Sequence, residues 1–313
     1  MQTQLEELYR TQLATFELAR ENYANLQHVT YRTIPIRNFE LHLQYNPARI
    51  RSTNAKIDAA SLQKRPCFFC PENIPQGQEG ISYDGCYNLL VNPYPIFDKH
   101  FTVPTIHHTP PRIAGRLRDM LNLAFDLPQY TLFYNGPQCG ASAPDHFHFQ
   151  IAPRQTMPTE KDVENEHLQE TLQHKDYYHI GTLKNYLRKI LILRSSDQEL
   201  LLSVFEKINQ ILQHHIPSDP EPMYNLLAWF DNCQWTLCIF PRKLLRPHQF
   251  FAEGEEKVLF SPGSVDMAGL IITPRQEDFD KYSETLLTDL FAQVTVDDEV
   301  WQTILSQIKK IEL

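Results

Sequence analysis

The spacing of apolar residues divides the chain into helical and strand-like segments. In residues 1–28, leucine and phenylalanine recur at near-helical spacing among charged residues, which predicts an amphipathic helix. From about residue 30 to 155, short β-prone runs are broken by Pro, Gly and Asn, with a single helical insert, PRIAGRLRDMLNLAFDL. Residues 157–215 are polar with helical spacing, strand-like runs return at 223–242 and 258–274, and two amphipathic helices follow. This order predicts an α+β fold in which helices lie against one face of a largely antiparallel sheet.

Two stretches of the chain resemble each other. The run YNLLVNPYPIFDKHFTVPTIHHTP, beginning at Tyr87, aligns without gaps with YNLLAWFDNCQWTLCIFPRKLLRP, beginning at Tyr224. Further on, HFHFQIAPR (146–154) aligns with MAGLIITPR (267–275), where methionine and glycine replace the two histidines. Self-similarity of this kind predicts an internal duplication. The second copy is expected to have lost its polar residues, which leaves one active site per chain.

Composition and charge exclude several classes of protein. A chain of 313 residues with 42% hydrophobic content can bury a substantial core. Its formal charge of −9, with 38 acidic against 29 basic residues and no long basic run, argues against nucleic acid or an anionic membrane as partner. The N-terminal stretch is charged, and no segment reaches the ~18 consecutive apolar residues of a membrane span, so we expect a cytoplasmic protein. The six cysteines are too scattered for a disulfide scaffold.

The pentapeptide HFHFQ places three polar side chains at alternate positions. Successive residues of a β-strand point to opposite faces, so His146, His148 and Gln150 are expected on one face. Phe147 and Phe149 are then expected to pack on the other face. A row of polar groups on a rigid element predicts a functional site.

A Cys-x-x-Cys pair, Cys67 and Cys70, indicates a metal site or a redox pair. Zinc prefers four nitrogen or sulfur ligands, and such a pair supplies two thiolates. His146 is a candidate third ligand, and the fourth comes from the His-His pair at 107–108 or, in a purely structural site, from His148. The expected metal is zinc, and iron could occupy a similar ligand set.

If His148 is free of metal, its chemistry becomes that of a nucleophile. A neutral imidazole nitrogen attacks phosphorus near pH 7 when the other ring nitrogen donates to a fixed acceptor, and the acceptor expected here is a backbone carbonyl. Gln150 would donate its amide to a non-bridging phosphate oxygen. The preceding loop, YNGPQCGASAPDH, offers Asn135, Gly140 and Ser142 together with exposed backbone N–H groups as further donors.

Three more residues complete the candidate substrate-binding set. Arg242 and Lys243 lie in the PRK run of the expected second copy and are candidate phosphate ligands. Asn92 begins the run NPYPIFDKH upstream of the histidines.

The pattern N-G-x(3)-G-A-S-x(3)-H-x-H-x-Q, preceded by NPYPIFDKHFTVPTIHH and by Cys-x-x-Cys, resembles the histidine triad superfamily. The similarity is to the branch of galactose-1-phosphate uridylyltransferase, diadenosine tetraphosphate phosphorylase and GDP-galactose phosphorylase. The resemblance implies a duplicated histidine-triad-like fold with a degenerate second copy. It implies a covalent nucleotidyl group on His148 and a phosphate contact from Gln150. It also implies a zinc ion held by His146 with the Cys-x-x-Cys pair and His108, or His107 in its place.

The function implied is that of a nucleotidyltransferase or phosphorylase. Its substrate would be a nucleoside diphosphate-sugar or a dinucleoside polyphosphate, and the intermediate a nucleotidyl-histidine. The alternatives are a nucleotide phosphohydrolase of the same superfamily and a non-catalytic, zinc-stabilised nucleotide-binding protein. The sequence leaves open whether the chain forms a homodimer.

Four parts are expected along the chain. They are an N-terminal helical segment with a lead-in strand (1–45), a first repeat with metal and active site (46–156), a helical insertion (157–220), and a second, degenerate repeat with C-terminal helices (221–313).

Overall fold

The computed structural model describes residues 1–53 and 59–312, which contain thirteen strands and eleven α-helices. The strands are β1 (Thr30–Ile36), β2 (Phe39–Tyr45), β3 (Gly80–Tyr83), β4 (Tyr87–Val91), β5 (Phe101–Pro104), β6 (Tyr130–Asn135), β7 (His148–Pro153), β8 (Gln169–Lys175), β9 (Tyr178–Leu183), β10 (Leu191–Ser195), β11 (Tyr224–Asp231), β12 (Gln234–Pro241) and β13 (Leu270–Thr273). The helices are α1 (Gln2–Thr15), α2 (Glu17–Asn25), α3 (Ile50–Thr53), α4 (Ala59–Lys64), α5 (Leu117–Asp126), α6 (Pro158–Asp162), α7 (Gln198–His215), α8 (Ser264–Met267), α9 (Gln276–Lys281), α10 (Glu284–Val294) and α11 (Asp298–Ile308).

Ten of the strands form one sheet in the order β3-β4-β5-β7-β6-β11-β12-β10-β9-β8. Every neighbouring pair in this sheet is antiparallel. The remaining strands form a small sheet, β1-β2-β13, in which β13 runs parallel to β2. The α+β class with a largely antiparallel sheet is therefore confirmed.

The large sheet is internally duplicated about its central pair, β6 and β11. Counted outward, the order β6, β7, β5, β4, β3 on one side repeats as β11, β12, β10, β9, β8 on the other. Helix α5 joins β5 to β6, and α7 joins the equivalent strands β10 and β11. The duplication follows the expectation, but the predicted alignment of the copies is wrong. The two YNLL runs lie in β4 and β11, which are not equivalent, and β13 lies outside the large sheet.

The topology gives a different alignment of the second copy. Strand β12 is equivalent to β7, and both end in Pro-Arg, at 153–154 and 241–242. On that alignment Gln234, Thr236 and Cys238 stand where His146, His148 and Gln150 stand in the first copy. The second copy thus lacks the histidines, as expected, although the residues that replace them differ from those predicted.

The segment 157–220 is not a helical insertion. It contains β8, β9 and β10, which are the outer strands of the second copy, together with α7 and the short helix α6. The second copy therefore begins well before residue 221. The misleading signal came from β8, an edge strand whose side chains are half-buried or exposed and which carries few apolar residues.

Both faces of the large sheet are covered, rather than one. Helices α1, α2, α5, α7 and α11 pack on one face. The small sheet with α8, α9 and α10 packs on the other. The helix expected over residues 1–28 is present as α1 and α2, separated at the buried and extended Phe16. No helix among the residues described is both long and apolar enough to cross a membrane.

Candidate active site and metal centre

Strand β7 separates apolar from polar side chains as its sequence predicts. Phe147 and Phe149 are fully buried in the core beneath α1, α2 and α5. His148 and Gln150 line a cavity on the opposite face. His146 lies two residues before His148, ahead of the first residue of β7, and its ring is buried.

The cavity has a volume of about 650 Å³, which is in the range of small-molecule and cofactor sites. Four of the predicted substrate-binding residues line it, namely Asn92, Asn135, Gly140 and Ser142. Its walls come from both halves of the chain, because Ser261 and residues 263–266 line it together with residues of the first copy.

His148 has one ring nitrogen committed and one available. Its Nδ1 lies 2.9 Å from the carbonyl oxygen of His146, so Nδ1–H donates and the Nε2 lone pair remains. Burial lowers the pKa of His148 to about 4, so the ring is neutral near pH 7. A backbone carbonyl is the partner that a nucleophilic histidine was expected to need.

Cys67, Cys70, His108 and His146 form a cluster whose ligand atoms all lie within 4.8 Å of one another. Cys67 Sγ is 3.2 Å from His146 Nδ1, and Cys70 Sγ is 3.3 Å from His108 Nδ1. The structure thus brings His108, rather than His107 or His148, to the two cysteines. Two thiols and two ring nitrogens are a donor set that zinc prefers.

The surroundings of the cluster also suit a cation. His146 Nε2 donates to the carbonyl oxygen of Thr105 at 2.8 Å, which leaves its Nδ1 free of a proton and facing the thiols. Burial and the neighbouring Cys67 raise the pKa of Cys70 to about 11. A thiolate at this position therefore requires a positive charge beside it, and a bound metal ion supplies one.

Phe69 connects the Cys/His cluster to His148. It lies between the two cysteines in sequence, and its ring contacts both histidines. The ring centroids are 5.8 Å from His146 and 4.7 Å from His148. The conformation of the Cys-x-x-Cys loop therefore determines the packing against the side of the His148 ring.

Gln150 is held by a residue that the sequence analysis did not single out. Its Oε1 lies 2.9 Å from Nε2 of His100, a fully buried histidine that immediately precedes β5, the strand next to β7. The signal available was only the alternation in HFTVP, which places His100 and Thr102 on the same face as Gln150.

Asn135 and Gly140 fix the position of the loop that precedes His146. The Oδ1 atom of Asn135 accepts from the backbone N–H of Ser264 at 2.6 Å and from Nδ2 of Asn225 at 2.9 Å. Gly140 has φ +89°, and a Cβ atom there would lie 2.5 Å from the carbonyl oxygen of Pro262. The loop is therefore pressed against the C-terminal half, and Asn225 is a second residue that sequence reasoning missed.

Arg242 and Lys243 do not line the cavity in the part of the chain that the structure describes, which corrects their assignment to substrate binding. Arg242 is fully buried, and its guanidinium donates to five acceptors within the protein. They are Asn225 Oδ1 and the carbonyl oxygens of Leu244, Leu245, Pro262 and Val294. Lys243 forms an ion pair with Asp297.

Three other arginines, Arg49, Arg65 and Arg246, line the cavity instead. Arg65 pairs with Asp145, Arg246 donates to Ser261 Oγ at 2.9 Å, and Arg49 donates to a backbone carbonyl at 2.7 Å. They come from separate segments, so no local sequence pattern indicates them.

Comparisons with known proteins agree with this geometry. Residues 8–153 match the family model described as Domain of unknown function (DUF4922). Residues 162–312 match the model described as GDPGP1-like, C-terminal domain. No curated protein sequence matches the chain.

The fold is similar to that of yeast Ap4A phosphorylase Apa2. One crystal structure of that protein has a TM-score of 0.61 at 18% identity, covering 90% of this chain and 97% of that chain. Its complex with AMP gives 0.57 at 18% identity, covering 90% and 98%. Its complex with Ap4A gives 0.54 at 17% identity, covering 89% and 96%.

The two family models lie side by side and span most of the chain, and the fold is shared along nearly its whole length. The C-terminal half of the chain therefore matches the GDPGP1-like family, and the chain as a whole shares the fold of yeast Ap4A phosphorylase, which supports the branch of the histidine triad superfamily that the sequence motifs resemble.

Proposed function

We propose that the chain is a nucleotidyltransferase or phosphorylase that works through a covalent nucleotidyl group on His148. The position of His148 carries the proposal. It stands beside the metal cluster but outside it, its Nδ1 is committed to a backbone carbonyl, and its ring lines a cavity of nucleotide size.

The chemistry consists of two displacements at one phosphorus atom. The Nε2 lone pair of His148 attacks the α-phosphorus of the donor, a P–N bond forms, and the P–O bond to the leaving phosphate breaks. The positive charge that develops on the ring is stabilised by the Nδ1–H donated to the His146 carbonyl. An oxygen of phosphate or of a sugar phosphate then attacks the same phosphorus, and the P–N bond breaks to restore the neutral ring.

Donors for the non-bridging oxygens surround this position. Gln150 follows His148 by two residues on β7. Asn135 is the last residue of β6, and continuing the β6–β7 register by two residues places it opposite His148. Amide N–H groups of both residues are proposed to hold the phosphate oxygens as negative charge increases in the transition state. Arg49 and Arg65 would hold the remaining phosphates.

The proposed metal is zinc, held by Cys67, Cys70, His108 and His146. When bound, it would link the Cys-x-x-Cys loop to the start of β7 and take no part in bond-making. Its effect on the reaction would be exerted through Phe69, which contacts His148.

The proposed substrates are dinucleoside polyphosphates or nucleoside diphosphate-sugars. The yeast phosphorylase with the shared fold has been crystallised with Ap4A and with AMP, which supports a dinucleoside polyphosphate as the first donor to test.

The test is intact-mass measurement after mixing the protein with Ap4A in the absence of an acceptor. The chain should gain the mass of one nucleotidyl group, and His148→Asn should abolish that gain while metal content is unchanged. His107→Asn, an exposed histidine outside the metal cluster, is the matched control and should still form the adduct.

Two results would contradict the proposal. Loss of metal in His148→Asn would make that histidine a ligand and favour the non-catalytic zinc-stabilised protein. Cleavage of Ap4A by water in the His148→Asn protein, at the wild-type rate, would favour hydrolysis without a covalent intermediate.

A further inference from the structure

Two carboxamide side chains face the cavity beside His148, and each has its oxygen fixed by a buried neighbour. A carboxamide presents an acceptor on one side and a donor on the other. Only the NH₂ group can stabilise a phosphate oxygen. A residue that decides which way the amide points therefore decides whether the site has a donor at all.

The orientation of Gln150 follows from His100. The backbone N–H of Ile96 is 3.3 Å from His100 Nδ1 and can only donate, so Nδ1 carries no proton. The neutral ring then carries its proton on Nε2, which donates to Gln150 Oε1 at 2.9 Å. Burial lowers the pKa of His100 to about 3, in keeping with a ring that remains neutral. The Gln150 NH₂ group is left pointing away from His100.

The orientation of Asn135 follows from Asn225. Asn225 is fully buried and fixed at both ends: its Oδ1 accepts from Arg242 at 2.8 Å, and its Nδ2 donates to the carbonyl oxygen of Cys139 at 2.8 Å. The same Nδ2 lies 2.9 Å from Asn135 Oδ1, which also accepts from the backbone N–H of Ser264. The oxygen of Asn135 is thus directed to the C-terminal half, and its NH₂ group to the cavity.

We propose that His100 and Asn225 are positioning residues that hold the NH₂ groups of Gln150 and Asn135 toward the phosphate attacked by His148. The inference rests on the proposed function and deepens it, because it assigns a role to a residue of the degenerate copy. Arg242 acts one step further back, by fixing Asn225.

The sharpest variant is Asn225→Asp, which keeps the shape of the side chain and its acceptor for Arg242. The new carboxylate cannot donate to Asn135 or to Cys139, so it competes for the Asn135 NH₂ group and draws it from the cavity. The single-turnover rate of adduct formation with Ap4A should fall about 100- to 1,000-fold, as when one transition-state donor is lost. In an Asn135→Ala background, the same change should alter the rate by less than about 3-fold, because its target is gone.

The two backgrounds of Asn225→Asp form one double-mutant cycle, and a second double-mutant cycle tests His100 independently. His100→Phe keeps the aromatic contacts with Phe97 and Phe133 but removes the donor. It should slow adduct formation in the wild-type background and leave the rate nearly unchanged in a Gln150→Ala background. His100→Gln returns an N–H group at similar reach and should recover part of the rate. Asn232→Asp, the same change at an exposed position on the β11–β12 turn, is the control for charge.

Additive effects in both cycles would overturn the inference. If Asn225→Asp does not fold, the His100 cycle decides. A ¹⁵N spectrum of the wild-type protein without substrate should show His100 neutral with the proton on Nε2, and the opposite tautomer would also overturn it. Absence of any adduct in the wild-type chain would instead count against the proposed function, so the two failures are distinguishable.

Discussion

Replacing Gly140 by alanine tests the contact between the active-site loop and the C-terminal half. At φ +89° an alanine costs roughly 1–2 kcal/mol of backbone strain. The added Cβ would also lie 2.5 Å from Pro262 O and 2.6 Å from Gly263 Cα. Because backbone atoms cannot rotate away as a side chain can, we expect a further penalty of about 1–3 kcal/mol.

Gly115→Ala is the matched control, since Gly115 has φ +79° but nothing within 4 Å of its would-be Cβ. It should lose only the strain energy. The free energies of unfolding from urea titration should therefore differ by roughly 1–3 kcal/mol between the variants. Gly140→Ala should also slow adduct formation, because moving residues 262–264 disturbs the Ser264 bond to Asn135. Equal stability of the two variants would refute the close approach.

Three further outcomes are expected. Chelation of the metal should expose Cys67 and Cys70 to thiol reagents and slow adduct formation at His148 in parallel; unchanged thiol reactivity after chelation would contradict a metal at this site. Burial raises the pKa of Asp266, which lines the cavity, to about 6. As pH rises through that value, the carboxyl group becomes negatively charged and should weaken the binding of anionic Ap4A. Binding titrations should show this pH dependence in the wild-type protein and its loss in Asp266→Asn. Arg49→Met should raise the KM for Ap4A about 10-fold while His148 still carries the adduct, and an unchanged KM would remove Arg49 from phosphate binding.

The part of the site that could be predicted from the sequence was the part encoded in short spacings. Alternation in HFHFQ separated the apolar from the polar side chains of β7, and Cys-x-x-Cys indicated a metal. The α+β class was predicted from the order of helical and strand-like segments and is confirmed, and the comparisons support the superfamily branch that the motifs resemble.

The register of the duplication could not be predicted, because YNLL is typical of any buried strand and recurs in β4 and β11 by composition alone. Arg242 was misassigned for a related reason. Sequence favours a solvated or ligand-binding role for arginine, whereas here the backbone of three separate segments supplies its acceptors. His100 and Asn225 escaped notice because their importance lies in partners that are distant in sequence.

The β6–β11 pairing makes one continuous sheet of two ancestral units, and it has a consequence for any attempt to divide the chain. Severing the backbone at the exposed turn around Glu166 would give one fragment with His148 and the four residues of the Cys/His cluster, and another with Asn225 and Ser264. Neither fragment should catalyse nucleotidyl transfer by itself. Mixing the two should restore turnover only to the extent that they reassociate. The second copy lacks the histidines, but the site in the first copy would depend on it.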